Sequence, residues 1–298
     1  EGYRDSRPIR VGSTNTGQLQ LDIFGELMDS IYLYDKYGTP ISYGNWKHLT
    51  QMVEFVSRNW MKPDAGIWET RSAKSKFLYS RVMSWVAIDR AVRLARKRSL
   101  PAPLADWEKT RDEIYESVHG DLWNDERQAF VQSEGVTALD AAALVMPLVK
   151  FISPTDPRWL STMDAINHDL VSDSLVYRYR VNEAFPDGLQ GKDGTFTLCS
   201  FWLIECTARK GDLKLARFLF EKILSYGNEL GLFSEQLDQD GRSLGNIPQA
   251  FTHLALISAA YDLDRRLDGK IRPQKANLPA SRQPVDHNNS AFGRMPHG

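Results

Sequence analysis

The chain has 298 residues, of which 42% are hydrophobic and 25% charged, the proportions of an ordinary globular protein. Its 37 basic and 38 acidic side chains give a net charge of −1, so neither a nucleic acid nor a membrane surface, which both select a concentrated basic field, is an expected partner. No uninterrupted apolar run is long enough to span a bilayer, and two cysteines with no visible signal peptide favour a cytoplasmic location.

Helical periodicity runs along the chain, with no series of alternating strands and no βαβ pattern. The first predicted helix covers about residues 16–37 and carries an apolar stripe at Leu19, Ile23, Leu27, Ile31 and Tyr34. Further helices are predicted near residues 44–61, 76–97, 102–123, 137–152, 157–173, 195–210, 212–229 and 247–266. The sequence therefore predicts an all-α domain over residues 1–268 and a flexible tail over residues 269–298.

The links between the predicted helices alternate between short and long. The long links follow the second, fourth, sixth and eighth helices, near residues 62–75, 124–136, 174–194 and 230–246. Because successive helices of an up-and-down array reverse direction, all four long links are expected at one end, where function usually lies. Nine helices are an odd number for a ring of helical hairpins, so we expect helices ahead of residue 1.

Two glutamates in these long links are candidates for acid and base catalysis. Hydrolysis of a glycosidic bond requires one carboxylic acid to protonate the leaving oxygen and, in an inverting enzyme, a second carboxylate to activate water. Glu69 lies in the first long link and Glu235 in the fourth. Trp68 offers an apolar wall that would help to keep Glu69 protonated. On position alone the pair is weak, because most loop carboxylates are solvated surface charges.

The sequence motifs around both glutamates are far more specific than their position in the loops. Residues 63–71, PDAGIWETR, resemble the general-acid loop of glycoside hydrolase family 15, which contains glucoamylases, glucodextranases and a branch of trehalases. Residues 232–236, LFSEQ, and 244–251, LGNIPQAF, resemble its general-base segment. Further matches occur in order at QLQLD (18–22), WVAIDRA (85–91) and CSFWL (199–203). The resemblance extends from Gly2 to about Arg265.

This resemblance implies an (α/α)6 toroid that is incomplete at its N-terminal side, with about nine of twelve helices, and inversion at the anomeric carbon. Glu69 would be the general acid and Glu235 the general base in hydrolysis of an α-glucoside, either an α-1,4-glucan end or α,α-trehalose. Substrate-binding residues are expected to be Trp68, Asp64, Arg71 and Gln236. Acid, base and water suffice for this chemistry, so neither a metal nor an organic cofactor is expected.

The sequence departs from the family pattern in two ways. The family's catalytic unit begins with a β-sandwich domain and early barrel helices, so a missing N-terminal domain of the same protein is an expected partner, and the chain alone is expected to be inactive or poorly folded. Ser80-Arg81 also stands where relatives usually carry Ser-Lys, which keeps the charge but changes its reach. The alternative function is a non-catalytic helical module that binds carbohydrate or a protein partner through the same rim.

Structural roles are predicted for the remaining candidates. Asp89 is expected to be a buried carboxylate paired with Arg90 or another cation, and Glu134 a solvated loop carboxylate. Core positions are predicted for two tryptophans, one histidine and both cysteines, namely Trp85, Trp202, His253, Cys199 and Cys206.

Overall fold

A computed structural model describes residues 5, 7, 17–70, 74–180 and 193–271. Nine α-helices account for most of these described residues, which confirms the predicted all-α class. No helix within the described ranges is both long and apolar enough to cross a membrane. Arg71 lies outside the described residues, and so does the predicted tail from residue 272 onward.

The helices follow one another in the predicted order. Their bounds are α1 Asp22–Tyr37, α2 Tyr43–Asn59, α3 Leu78–Arg98, α4 Leu104–Asp121, α5 Val145–Leu148, α6 Pro157–Asp169, α7 Thr197–Lys210, α8 Leu213–Leu224 and α9 Ala250–Leu267. Short antiparallel strands occupy the long connections. They pair as β1 Trp123–Asn124 with β2 Ala129–Phe130, as β3 Val171–Ser172 with β4 Leu175–Val176, and as β5 Thr195–Phe196 with β6 Gln236–Leu237 and β7 Ser243–Leu244.

Residues that favour the ends of helices stand at the bounds of several of them. The side chains of Ser42, Asp156 and Asp212 accept hydrogen bonds from backbone N–H groups in the first turns of α2, α6 and α8. Pro157 stands at the first position of α6, where its fixed φ suits a helix start. α7 ends at Gly211, whose φ of +107° favours glycine.

The core is centred on α3 and α7, which are buried along almost their whole length. α1 packs on α3, and α9 packs on α7. Trp85 of α3 and Trp202 of α7 are buried, as predicted. Both cysteines, Cys199 and Cys206, are free thiols buried in α7, which confirms the prediction for them.

The helix predicted for residues 137–152 is wrong in extent. A 3-10 turn over Ala141–Leu144 leads into α5, which has only four residues. Pro147 removes one backbone donor, so a continuous helix loses a hydrogen bond there. Lys150 then adopts the left-handed conformation, with φ of +64°, and the chain turns away. The alanine-rich composition favours a helix, but these two residues limit it.

The buried face of α1 also differs from the predicted stripe. Ile23, Leu27 and Tyr34 are exposed by 49%, 41% and 58%. The face toward α3 instead includes Gly25, where an added Cβ would lie only 2.2 Å from the carbonyl oxygen of Met83. Close helix packing therefore selects the side of α1 with a glycine, and Ile23, Leu27 and Tyr34 face outward, whereas Ile31 packs against the core.

The four long connections do meet at one end, as predicted. The first contacts the second through a β-bridge between Phe77 and Ser133. The second contacts the third because the N–H of Ala141 donates to the carbonyl of Arg178. The third contacts the fourth through the β5–β6 pair. This end, formed by the segments that precede α3, α5, α7 and α9, is called the loop rim below.

Candidate active site

The loop that carries Glu69 is closed by its own backbone. The N–H of Thr70 donates to the carbonyl of Ala65, and the N–H of Glu69 donates to the carbonyl of Gly66 at 3.1 Å. Gly66 has a φ of +64°, and an added Cβ would lie 2.7 Å from the ring of Phe77. Glu69 itself has a φ of +53° at the exposed tip of this turn. The sequence PDAGIWE thus folds into a tight turn that presents Glu69 on the loop rim.

Asp64 anchors the base of the same loop. Its side chain is fully buried and accepts hydrogen bonds from the N–H of Leu21 at 2.9 Å and from the hydroxyl of Ser80 at 2.8 Å. Burial raises the pKa of Asp64, while these hydrogen bonds oppose the rise. Asp64 therefore joins the loop to α1 and α3. This buried position corrects the predicted sugar contact, which requires an accessible carboxylate.

Trp68 lies on the inner side of the loop. Its indole Nε1 donates to both carboxylate oxygens of Asp140, at 2.9 and 3.1 Å. Its ring packs edge-on against Phe196 and Tyr179, with centroid separations of 5.3 and 6.5 Å. Because Glu69 is exposed, the arrangement does not show the apolar enclosure of Glu69 expected from Trp68. Trp68 instead fixes the loop to the second and third long connections.

Asp140 was not among the residues selected from the sequence. Its buried carboxylate also accepts from the N–H of Ala142 at 2.8 Å and from the amide of Gln132 at 3.1 Å. Burial raises the pKa of Asp140 to about 6, and the hydrogen bonds and the charge of Arg178 limit the rise. An aspartate directly before an alanine run is a capping signal, but only the fold reveals its bond to Trp68.

Arg178 is a second residue that the sequence analysis missed. It is 5% exposed and forms an ion pair with Asp193 at 2.7 Å. Its guanidinium lies 4.7 Å from the ring centroid of Tyr179, 4.9 Å from that of Phe196 and 5.8 Å from that of Trp68. A buried cation thus lies among the aromatic rings beneath the acid loop. The available signal was its place in the third long link, between two tyrosines.

The base segment places Glu235 directly before β6, the middle strand of a small three-stranded sheet. The N–H of Glu235 donates to the carbonyl of Asn246 at 2.9 Å, and its carbonyl accepts from the N–H of Thr197 at 3.1 Å. The carboxylate Oε2 accepts from the side-chain amide of Asn246 at 2.9 Å and from its backbone N–H at 3.2 Å. Gly245 has a φ of +71°, and an added Cβ would lie 2.9 Å from that Oε2. The half-buried carboxylate is therefore held in one orientation.

Gln236 connects the fourth connection to the third. Its side-chain Oε1 accepts from the N–H of Gly194 at 3.0 Å, directly before β5. An added Cβ at Gly194 would lie 2.5 Å from the carbonyl oxygen of Leu237, so this close approach depends on glycine. Part of the hydrogen-bonding capacity of Gln236 is thus used inside the protein.

Phe196 brings the two glutamate segments together. It is the strand partner of Gln236, which follows Glu235, and its ring packs on Trp68, which precedes Glu69. One residue therefore contacts the immediate neighbours of both predicted catalytic residues, which are distant in sequence. Arg71, the other predicted substrate contact, is not among the described residues.

Other predicted residues have structural partners. Asp89 is buried between Arg90 and Arg93, at 2.6 and 2.7 Å, which confirms its expected pairing. The prediction for Glu134 is wrong, because this side chain forms ion pairs with Arg81 and with Lys76 rather than being solvated alone. Arg81 can reach Glu134 because the first turn of α3 lies beside the second long connection.

His253 has the packed position that was predicted. Its Nδ1 lies 2.7 Å from the carbonyl oxygen of Gln249, and its Nε2 accepts from the N–H of Phe233 at 3.3 Å. Its ring also packs edge-on against that of Phe233. The histidine therefore supports the segment just before Glu235.

Two carboxylate-bearing loops at one end of a set of helical hairpins are consistent with a glycosidase of the two-carboxylate type. The model of glycosyl hydrolases family 15 matches residues 1–261. The chain belongs to this family.

Its relatives include several trehalases. The trehalase of Mycobacterium tuberculosis is 41% identical over 284 residues, which cover 93% of this chain and 41% of that protein. The trehalase of Thermoplasma acidophilum is 38% identical over 266 residues, which cover 89% of this chain and 45% of that protein. The chain therefore spans less than half the length of these relatives.

Solved structures share the fold at low identity. A glycosidase in complex with glucose matches with a TM-score of 0.72 and 20% identity, over 86% of this chain and 70% of that one. A bacterial glucoamylase complexed with acarbose matches with a TM-score of 0.67 and 15% identity, over 83% of this chain and 41% of that one. The helices accordingly belong to an (α/α)6 barrel.

Proposed function

We propose that the protein is an inverting glycoside hydrolase that acts on an α-glucoside, with α,α-trehalose as its preferred substrate. The observation that carries the proposal is the contact through Phe196, which joins the segments of Glu69 and Glu235 on one rim. The trehalase relatives favour trehalose over the end of an α-1,4-glucan.

Each glutamate has a separate role in the proposed reaction. Glu69 donates its proton to the glycosidic oxygen as the bond to the anomeric carbon breaks. Glu235 removes a proton from a water molecule that attacks that carbon from the opposite face, so the configuration inverts. We expect the two carboxyl groups to stand roughly 6.5–9.5 Å apart, because a water molecule must fit beside the sugar. Asn246 orients Glu235 toward that water.

The surrounding residues would form the sugar pocket. Trp68 presents the edge of a ring fixed by Asp140, and the cation of Arg178 lies beneath it. Gln236 retains amide N–H groups that can donate to sugar hydroxyls. Arg71 remains a proposed substrate contact. Asp64 supports the acid loop and has no direct contact with substrate in this proposal.

Two amide substitutions test the catalytic assignment. In a longer product of the same gene, Glu69→Gln and Glu235→Gln should each lower kcat for glucose release from trehalose by several orders of magnitude, because proton transfer is lost while shape is kept. Both side chains lie at the rim, so the melting temperature should change little. Glu229→Gln, an exposed change in the same connection as Glu235, is the matched control. Wild-type turnover in either catalytic variant would refute the assignment.

The stereochemical outcome distinguishes the inverting mechanism. Proton NMR during the first minutes of trehalose hydrolysis should show one β-glucose and one α-glucose per substrate molecule, before mutarotation mixes them. Two α-glucose molecules would indicate retention and exclude direct attack by water. The rate of maltose hydrolysis, measured in parallel, tests the alternative substrate, which is the end of an α-1,4-glucan. A non-catalytic module would bind these sugars and release no glucose.

We also propose that another part of the same protein covers the outer faces of α1 and α9. Leu254, Ile257 and Tyr261 of α9 are exposed by about two-thirds, and α1 carries the exposed stripe described above. Soluble proteins rarely leave such faces uncovered. Leu254→Glu should therefore improve solubility of this chain alone but lower the melting temperature of a longer product of the same gene. An unchanged melting temperature in the longer product would contradict this proposal.

A further inference from the structure

The segment before Glu235 and the start of α9 hold each other through both backbone polar groups of Phe233. The N–H of Gln249, directly before α9, donates to the carbonyl of Phe233 at 3.1 Å. The N–H of Phe233 in turn donates to Nε2 of His253, in the first turn of α9, at 3.3 Å. One side chain of α9 therefore completes a two-way contact with the residue two positions before the proposed base.

The partners of His253 determine the form of its imidazole ring. A backbone carbonyl can only accept a hydrogen bond, so Nδ1, which lies 2.7 Å from the carbonyl oxygen of Gln249, must carry a proton. A backbone N–H can only donate, so Nε2 must offer a lone pair to Phe233. Both conditions hold only in the neutral ring with its proton on Nδ1. An imidazolium would place a second donor against the N–H of Phe233.

The groups that contact the ring are uncharged. From α9 itself the ring meets the carbonyl of Gln249, and from the base segment it meets the N–H and the ring of Phe233, whose centroid lies 5.9 Å away. Among the described residues, no charged side chain forms a hydrogen bond or an ion pair with His253. Glu235 is the nearest titratable residue along the base segment. The neutral ring is thus required by its two backbone partners.

Glu235 is anchored on both sides along the chain. After it, Asn246 binds both its backbone N–H and its carboxylate. Before it, the anchor is the contact between Phe233 and His253. If the second anchor is lost, the backbone that leads to Glu235 is free to shift relative to the sugar. A displacement of about 1 Å at a catalytic group can lower a rate by about 100-fold.

We propose that His253 is a positioning residue for the proposed reaction, and that its neutral ring, with the proton on Nδ1, holds Phe233 and so sets the place of the Glu235 carboxylate. His253 acts through the main chain and contacts neither the sugar nor the attacking water. The inference rests on the proposed function and adds a requirement to it: the bond at Nε2 matters for turnover, whereas the bond at Nδ1 only packs the ring on α9.

Two amide side chains each reproduce one half of the imidazole. The amide of glutamine reaches the place of Nε2, so His253→Gln can still accept from the N–H of Phe233. The shorter amide of asparagine reaches the place of Nδ1, so His253→Asn can still donate to the carbonyl of Gln249 but loses Phe233. Because each variant keeps one of the two bonds, their melting temperatures should be similar.

The kinetics of trehalose hydrolysis, measured on a longer product of the same gene, should separate the two variants. We expect His253→Gln to retain most of kcat. His253→Asn and His253→Ala should fall well below it, by up to about 100-fold, with little change in KM. His48→Asn, at an exposed position of α2, is the matched control and should change nothing. Equal kcat in the glutamine and asparagine variants, or kcat values that merely follow the melting temperatures, would overturn the proposal.

Nitrogen-15 NMR of histidine-labelled protein tests the ring directly. The signal that disappears in His253→Gln should be that of a neutral imidazole protonated at Nδ1, and a ring protonated at Nε2 would overturn the proposal. Over the pH range in which this signal shows the ring gaining a proton, kcat of His253→Gln should rise relative to that of the wild type. Titration of Glu235 affects both proteins alike, so an unchanged ratio there would also count against the proposal.

The NMR result does not depend on hydrolytic activity. If no protein releases glucose from trehalose while the ring has the expected form, the proposed glycosidase function fails and the contact with Phe233 stands. If the wild type hydrolyses trehalose and the asparagine variant does so equally well, only the role of His253 fails. The two failures are therefore distinguishable.

Discussion

Trp68 and Asp140 are joined by a hydrogen bond in which the indole Nε1 lies 2.9 Å from one carboxylate oxygen and 3.1 Å from the other. Trp68 directly precedes the proposed general acid, whereas Asp140 begins the turn before α5. The bond therefore fixes the acid loop to a different connection of the barrel. Because Asp140 is buried, an unmade bond at this position leaves a polar group without water to replace it.

Replacing the indole with a ring of similar character isolates this bond. Trp68→Phe removes the N–H donor, and we expect the free energy of unfolding to fall by about 1–3 kcal/mol. A double-mutant cycle with Asp140→Asn should give a coupling energy of about 1 kcal/mol or more. Trp123→Phe is the matched control, because its Nε1 makes a similar bond to Asp125 at the surface. Additive effects at Trp68 and Asp140 would contradict the assigned coupling.

The contact between Asn246 and Glu235 leads to a kinetic prediction. Asn246→Ala removes the side-chain donor 2.9 Å from Oε2 of Glu235 while leaving both backbone bonds. In a longer product of the same gene we expect kcat for trehalose to fall by up to about 100-fold, the cost of a small misplacement of a catalytic group, with little change in KM. Asn246→Asp should fall further, because two carboxylates would then face each other. A change confined to KM would show that Asn246 binds substrate instead.

The position of the loop rim was predictable from the sequence because it depends only on helix order. Each helix reverses the chain, so links of the same parity share an end, whatever the side chains do. Glu69 and Glu235 were selected because the sequence motifs around them resemble those of a known family. Neither inference required the boundaries of any helix to be accurate.

Contacts across the fold were not predictable in the same way. The bond from Trp68 to Asp140 joins residues 72 positions apart. The outward position of Ile23, Leu27 and Tyr34 on α1 results from close packing at Gly25, which periodicity does not reveal. Asp64, chosen as a sugar contact from its place beside the acid, is instead a buried anchor. In each case the position of the side chain depends on which helix or connection packs against it, and the sequence pattern does not give that.

Asp22 predicts a pH-dependent stability. Burial, and then the charges of Glu26 and Asp64, raise its pKa from 3.8 to about 7. The folded state therefore binds more protons than the unfolded state between about pH 4 and 7, so the stability from this group falls as pH rises through that window. The full effect is at most about 4 kcal/mol, since each pKa unit corresponds to about 1.4 kcal/mol.

Asp22→Asn removes this titration and measures its size. Urea unfolding at pH 4.5 and pH 8 should show the variant gaining stability relative to the wild type at the higher pH. Asp240→Asn, an exposed change, should show no such difference between the two pH values. An equal difference between wild type and Asp22→Asn at both pH values would show that Asp22 does not titrate in this window.

The Arg81→Lys substitution tests whether stability depends on arginine at this position, where relatives usually carry lysine. The buried guanidinium contacts Asp121 at 2.9 Å and also pairs with Glu134, so one cation bridges α4 and the second long connection. An ammonium on a lysine stem presents one charge centre and cannot match both geometries. Arg81→Lys should therefore lower the free energy of unfolding by about 1–3 kcal/mol, the cost of a hydrogen bond to a charged group.

The loss in Arg81→Lys should persist at 1 M salt, because the guanidinium is only 2% exposed and is poorly screened. Combining it with Glu134→Gln identifies the lost partner. If lysine keeps Asp121 and loses Glu134, the double variant should be less stable than Arg81→Lys only by the loss of the ion pair between Lys76 and Glu134. A fully additive double variant would mean that lysine still reaches Glu134, and wild-type stability in Arg81→Lys would show that the bridge needs only a positive charge.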